Sequence, residues 1–258
     1  MSERLDVEIF NRGLSQSREK AKNLIENGNV SVDGKIINKA SFKVENGTVI
    51  EIVGYVMPYV SRGGLKLEKG INVFRIDLHG KTAIDMGAST GGFSDCMLKH
   101  GLKKVYAVDV GSGQLDKKLL VNPAVINIEN TNIRTMVFED IGEKVDFISI
   151  DTSFISLKLI LPVAFQFVKE DGEIVALIKP QFEAGKGNVG KKGIVKDKKV
   201  HISVVEDIYN FVISAGFCPV DFTTSPILGG DGNIEYLMHI VKKGKAFGLD
   251  IIKKVVNL

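Results

Sequence analysis

The 258-residue sequence has no tryptophan, two cysteines and four histidines, and these scarcities rule out several classes of protein. Cys96 and Cys218 are far apart in sequence and neither belongs to a CxxC pair, which gives a disulfide framework or a zinc site no support and suits a reducing compartment. His79, His100, His201 and His239 are scattered without metal-ligand spacing, so no metal is expected. No apolar run approaches the ~20 residues that span a bilayer, and the opening MSERLDVEIF lacks the basic start and apolar stretch of a secretory signal. These absences predict a cytoplasmic protein without membrane association. A strong charge bias is missing too: a net charge of +3 is too small to wrap nucleic acid by charge alone, so a polyanionic partner must be met by local clustering.

What is present, 44% hydrophobic and 25% charged residues, suffices for one substantial core and a small satellite. Residues 1–58 read as the satellite, a small α+β domain. A helix near Leu5–Asn11 precedes Ser17, an N-cap for SREKAKNLIENG, which Gly28 closes. Ala21, Leu24 and Ile25 form its inward face, while Arg18, Lys20 and Lys22 stay solvated. NVSVDGKIINKASFKVENGTVIEIV supplies short alternating strands joined by the hairpin pair Asp33-Gly34 and by Asn46-Gly47, so two helices on one small curled sheet are expected. The order R-L-D, SREKAKNLIENGNVSVDGK and VIEIV, covering residues 2–54, resembles the S-four domain, a small RNA-binding module. On charge alone the basic helix face is an ordinary solvated one; the resemblance implies RNA contact through Arg4, Arg18, Lys20, Lys22 and Lys35.

Beyond a linker at residues 59–63, residues 64–258 change grammar. KTAIDMG, KKVYAVDV, AVINIE, KVDFISID and GEIVALIKP are strand-length apolar cores with helical segments between most of them, the α/β pattern of a mainly parallel sheet covered on both faces. GFCPVDFTTS and IEYLMHIV follow a helix around His201–Ser214 and complete a seven-strand order typical of class I Rossmann-like methyltransferases.

Such sheets bind ligands beyond the carboxyl ends of their strands, at the switch point. The first strand runs into Gly87-Ala88-Ser89-Thr90-Gly91-Gly92-Phe93, and the second ends in Asp109, where a carboxylate can hold both ribose hydroxyls of an adenosine. G-x-x-x-G-G is not the dinucleotide G-x-G-x-x-G, which argues against a pyrophosphate. On spacing alone the glycines also suit a plain strand-to-helix turn. D-x-G-A-x-x-G-G-F resembles the string of FtsJ-type methyltransferases, which implies S-adenosylmethionine contacts at Asp85, Gly87, Ala88, Ser89, Thr90, Gly91, Gly92, Phe93 and Asp109. Glu129 or Asn130, after the third strand, is expected to face the adenine.

Asp151 ends the strand FISID and Lys179 ends VALIK, so both reach the edge that carries the glycine loop; Lys66 lies in GGLKLEKG and Glu235 in GNIEYLMHI. Singly, each is an ordinary strand-end charge. Together they resemble the lysine, aspartate, lysine, glutamate tetrad of FtsJ-like RNA 2′-O-methyltransferases. A sugar hydroxyl is a weak acid and nucleophile, so its methylation needs a base and tight positioning. The resemblance implies Lys179 as that base, neutral through burial and a second nearby cation, with Lys66 and Glu235 orienting the hydroxyl and Asp151 holding Lys179 beside the methyl donor. Asp151-Thr152-Ser153-Phe154 lacks the prolines of the D/N-P-P-Y/F loop that goes with base-amine acceptors, which favours a ribose oxygen.

With VSRGGLKL, DMGASTGGF, DTSFISL, IKPQFE and GNIEYL in order, nearly the whole chain resembles the TlyA, or hemolysin A, family. That resemblance implies methylation of cytidine 2′-hydroxyls in 16S and/or 23S ribosomal RNA within 30S and/or 50S subunits. Where family members carry an R-A-W-V-like linker, this chain has Met57-Pro58-Tyr59-Val60. Arg62, at the junction, and Lys186, Lys191 and Lys192 of the basic, glycine-rich GKGNVGKKGIVKDKKVH are further expected RNA contacts. A membrane-active hemolysin would need a signal, a spanning segment or an insertion helix. A non-catalytic RNA-binding factor would be free to lose the four tetrad residues.

Overall fold

The computed structural model describes residues 2–15, 17–45, 47–54, 57–230 and 232–257; Asn46 and the Lys186 side chain, both named above, lie outside the described residues. The chain divides into two compact units, Met1–Pro58 and Tyr59–Leu258.

The first unit runs β1 (Glu3–Arg4), α1 (Leu5–Asn11), α2 (Arg18–Glu26), β2 (Val30–Val32), β3 (Lys35–Ile36), β4 (Lys43–Val44) and β5 (Ile50–Ile52). Ser17 Oγ accepts from Lys20 N–H and starts α2, and Asp33 and Gly34, both at positive φ, make the two-residue turn between β2 and β3. Leu5, Ile9, Ala21 and Ile25 close on Val30, Val32, Val44 and Ile50 in a core of their own. The single curled sheet expected from the sequence is instead two: β1 pairs with β4, and β3-β2-β5 form the other. β4 and β5 therefore belong to different sheets. Strands of two residues carry no alternation from which their pairing could be read.

The second unit runs α3 (Gly63–Phe74), β6 (Thr82–Met86), α4 (Gly92–Lys99), β7 (Lys104–Val108), α5 (Lys117–Leu120), β8 (Val125–Ile128), β9 (Val145–Ile150), α6 (Leu157–Phe167), β10 (Val168–Ile178), α7 (Pro180–Glu183), α8 (Lys198–Ser214), β11 (Cys218–Thr224), β12 (Tyr236–Val241) and α9 (Leu249–Asn257). Its seven-stranded sheet has the order β11-β12-β10-β9-β6-β7-β8, with β12 antiparallel to both its neighbours. Ala83, Phe147, Val175 and Leu237 pack toward the α3–α4 layer, and Ile84, Met86, Ile148, Ile150 and Ile178 toward the core that includes α6, α8 and α9. Tyr59 is buried in this unit and Val60 N–H donates to Asp95, so residues 59–63 pack within it. From β6 the chain steps outward to β8 and then returns to β9 on the other side of β6, which makes the carboxyl ends of β6 and β9 the switch point. No helix among the described residues is long and apolar enough to cross a membrane.

Candidate active site

The glycines of the loop after β6 stand where their surroundings leave no room for a side chain. Gly87 has φ +89°, and a Cβ there would sit 2.6 Å from the carbonyl oxygen of Asp151. A Cβ on Gly92 would meet Ser61 Oγ at 2.3 Å. Ser89 N–H donates to Asp109 Oδ2 at 2.8 Å, and Gly111 N–H donates to Oδ1 at 2.8 Å. Two backbone donors thus fix the Asp109 carboxylate, which lines a cavity of about 700 Å³ and has acceptor capacity left. That volume is within the range of small-molecule sites. Gly87, Ser89, Val110, Ile133, Asp151 and Leu159 are among its walls. A second cavity of about 230 Å³ shares Gly87, Ser89, Asp151 and Ser153 with the first and adds Lys66, Ala88, Thr90, Gly92, Phe93 and Lys179.

Two buried ion pairs meet this smaller space. Lys66, on α3, donates to Glu235 Oε2 at 2.7 Å, and both side chains are nearly out of solvent. Lys179, the N-cap of α7, donates to Ser153 Oγ at 2.8 Å and lies 2.6 Å from Asp151 Oδ1. That oxygen is buried, and no described donor points at it in a hydrogen-bonding direction, so the Lys179–Asp151 contact is charge without a directed bond. Gly229 lies against Glu235: a Cβ there would stand 2.4 Å from Oε1. Burying charges is costly unless they are paired and bonded; Lys66, Asp151 and Lys179 border the small cavity and Glu235 meets it through Lys66, which sets two ion pairs beside one space suited to proton chemistry.

Several expected cofactor contacts lie elsewhere. Asp85 is fully buried on the α3–α4 face of the sheet, where Ser94 and Ser149 donate to its carboxylate at 2.7 and 3.0 Å; it borders neither cavity. Burial pushes its carboxyl up to about 7. Gly91 also borders neither cavity; a Cβ there would strike Leu119 at 2.2 Å, so it serves the packing of α5. Glu129 accepts from Gly113 N–H, which holds its carboxyl below the usual range, and Asn130 adopts φ +54°; neither lines the large cavity. Thr131, Asn132 and Ile133 take that wall instead. Their signal in the sequence was Asn132, a cap that accepts from Arg134 N–H and starts a short 3₁₀ turn. Thr152, Phe154 and Leu159 are further wall residues that pattern reasoning did not select.

Of the expected RNA contacts, Arg4 and Arg18 flank the buried Asp6, at 2.9 and 3.4 Å. The hydrogen bond from Arg4 holds the Asp6 carboxyl below the usual range. Lys22 faces Glu26 at 3.7 Å, and Lys20 and Lys35 are in the same unit. Arg62 reaches Leu228 O at 3.4 Å, and Lys191 and Lys192 are exposed on a turn beyond α7.

The family model described as FtsJ-like methyltransferase matches residues 59–242, and the S4 domain model matches residues 3–50. The 16S/23S rRNA (cytidine-2′-O)-methyltransferase TlyA of Mycobacterium tuberculosis is 39% identical over 238 residues, 92% of this chain and 89% of that protein. The chain belongs to the TlyA branch of the FtsJ-like methyltransferases. A candidate rRNA methyltransferase of Bacillus subtilis, YqxC, is 46% identical over 92% of this chain and 85% of its own length. A solved structure of a candidate hemolysin from Streptococcus thermophilus superposes with a TM-score of 0.77 at 42% identity, covering 99% of this chain and 94% of that one. In this FtsJ-like domain the glycine loop, Asp109 and the two ion pairs occupy one edge of one sheet.

Proposed function

We propose that residues 59–258 transfer a methyl group from S-adenosylmethionine to the 2′-hydroxyl of a cytidine in ribosomal RNA, 16S and/or 23S, and that residues 1–58 supply an RNA-binding surface. The observation that carries this reading is the meeting of Lys66–Glu235 and Lys179–Asp151 at a small cavity that shares Gly87 and Asp151 with the larger one. The cytidine and the ribosomal target come from the M. tuberculosis relative.

The donor set suits the cofactor. Asp109 has acceptor capacity left for two vicinal hydroxyls, Gly87 leaves the strand edge bare, and Asp151 Oδ1 is a buried acceptor without a directed bond. Val110, Ile133 and Leu159 supply apolar walls for a ring. S-adenosylmethionine, when bound, supplies an electrophilic sulfonium methyl. Lys179, as the free amine, would take the proton of the ribose hydroxyl, while Asp151 and Ser153 fix its position. Lys66, held by Glu235, orients that hydroxyl, a positioning worth several orders of magnitude when the geometry is near-attack.

Arg4, Arg18, Lys20, Lys22 and Lys35 in the first unit, and Arg62, Lys186, Lys191 and Lys192 in the second, engage RNA phosphates, giving affinity that falls with salt. The protein acts in the cytoplasm, where ribosomal subunits mature. The test is transfer of labelled methyl to unmethylated 30S and 50S particles, followed by mass spectrometry of the RNA nucleosides. Label in 2′-O-methylcytidine is the expected result. Cofactor binding without transfer to either particle would move the reading to a non-catalytic RNA-binding factor.

A further inference from the structure

The segment that carries Glu235 also holds the basic turn beyond α7, through side chains that the mechanism above does not use. Asn233 is fully buried, and both ends of its amide are engaged: Nδ2 donates to Gly193 O at 2.9 Å and Oδ1 accepts from Val195 N–H at 3.0 Å. Val195 O is bound in turn by His201 Nε2 at 2.9 Å, and Tyr236 Oη lies 2.9 Å from His201 Nδ1. Nε2 donates to that carbonyl, so the buried His201 ring ties the turn to Tyr236 of β12. Asn233 and Tyr236 are the near neighbours of Glu235 on either side. Residues 190–195 form a tight turn, Gly193 N–H donating to Gly190 O and Gly190 N–H to Ile194 O, and Lys191 and Lys192 are exposed on it.

A buried amide satisfied at both ends specifies one arrangement, and a half-satisfied one is costly. We propose that Asn233 is a positioning residue: it locks the Lys191–Lys192 turn to the segment bearing Glu235, so that phosphate capture by the turn and hydroxyl placement at the Lys66–Glu235 pair occur on one rigid body. The inference rests on the RNA methyltransferase reading above. Lysines on a loose turn would still attract RNA, but at no fixed distance from the reacting hydroxyl. Lysines on a locked turn convert phosphate binding into registration of the ribose.

The experiment is a kinetic cycle on the full chain with Asn233→Ala, the double substitution Lys191→Ala/Lys192→Ala, and their combination, using unmethylated ribosomal particles and S-adenosylmethionine. Asn233→Ala is expected to raise the KM for RNA about tenfold, as one lost buried hydrogen-bond pair allows, with the KM for S-adenosylmethionine held within about twofold. Adding the lysine substitutions to Asn233→Ala should raise the RNA KM by no more than about a further twofold, since the turn is already unregistered. Multiplicative effects, or an unchanged RNA KM in Asn233→Ala, would overturn the proposal. Should Asn233→Ala not fold, Asn233→Asp keeps the acceptor for Val195 N–H, loses the donor to Gly193 O and sets a carboxylate against that carbonyl; a folded Asp variant with wild-type RNA KM overturns the proposal equally. Deuterium uptake at residues 190–195 needs no substrate: faster exchange in the Asn233 variants supports the anchoring and unchanged exchange contradicts it, even if the wild-type chain transfers no methyl group and the methyltransferase reading itself fails.

Discussion

The two edges of the large sheet carry similar charges in different settings. At the amino edge, Glu173 accepts from Lys81 at 3.2 Å and meets His239 at 2.9 Å, while Asp146 accepts from Lys169 at 2.6 Å and from Thr82 N–H at 2.9 Å. Phe74 stacks on His239, and both oxygens of each acid are engaged. At the carboxyl edge, Lys66 and Glu235 are 11% and 3% exposed and Lys179 is 9% exposed, yet both pairs border a cavity and Asp151 Oδ1 lacks a directed bond. Pairing therefore does not set the two edges apart. Buried charge kept next to open space does, because desolvation is borne there without the full hydrogen bonding that would offset it.

The largest effect should separate the two edges outright. Lys66→Met is expected to lower turnover by about 10²-fold or more and stability by about 3 kcal/mol, since Glu235 is left buried and unpaired. Adding Glu235→Leu should recover most of that stability and none of the turnover, whereas Lys81→Met at the amino edge should cost under about 1 kcal/mol and leave turnover unchanged. Steady-state kinetics with urea titrations read both quantities.

Next in size is Gly87→Ala, which places a Cβ against the Asp151 carbonyl at a positive φ. Unfolding titrations should show a loss of about 3 kcal/mol. Calorimetry should show weakened S-adenosylmethionine binding, because β6 and β9 part where the two cavities join.

Asp85 tests whether burial alone can set a charge next to the site. Its folded carboxyl stands near 7, above the ordinary unfolded value, so its favourable contribution is full at low pH and is lost as pH rises through about 7. Asp85→Asn should therefore gain stability relative to the native chain between about pH 5 and pH 8, by about 3 kcal/mol in urea titrations. A constant difference across that range would mean that the Asp85 carboxyl is ionised throughout.

The smallest effect belongs to the amino edge. Burial raises the Glu173 carboxyl, but hydrogen bonds from His239 and Lys81 outweigh it and leave the group below its ordinary value. Its stabilisation is thus present above about pH 4.5 and fades as pH falls below that. Glu173→Gln should cost about 1 kcal/mol at neutral pH, converge with the native chain in acid, and leave turnover unchanged.

Apolar runs marked the strands of the large sheet because buried parallel strands are written as near-continuous hydrophobic stretches, and strand ends then placed Asp109, Asp151 and Lys179 at one edge. Side-chain direction was less legible. Asp85 alternates onto the helix-covered face, one residue out of phase with the cavity, and Gly91 is shaped by Leu119, nearly thirty residues on. Glu129 is held by Gly113, which leaves the cavity wall to Thr131, Asn132 and Ile133. In the first unit, two-residue strands gave no periodicity, so the split into two sheets was invisible. Long-range contacts of this kind depend on the assembled fold and not on local pattern.

The most direct test is the single-turnover rate of methyl transfer by Lys179→Ala at saturating S-adenosylmethionine and RNA. The lysine-base account predicts a rate at least about 10²-fold below that of the native chain, with both ligands bound as tightly as before. A rate within about twofold of native would contradict it and assign the proton to another group.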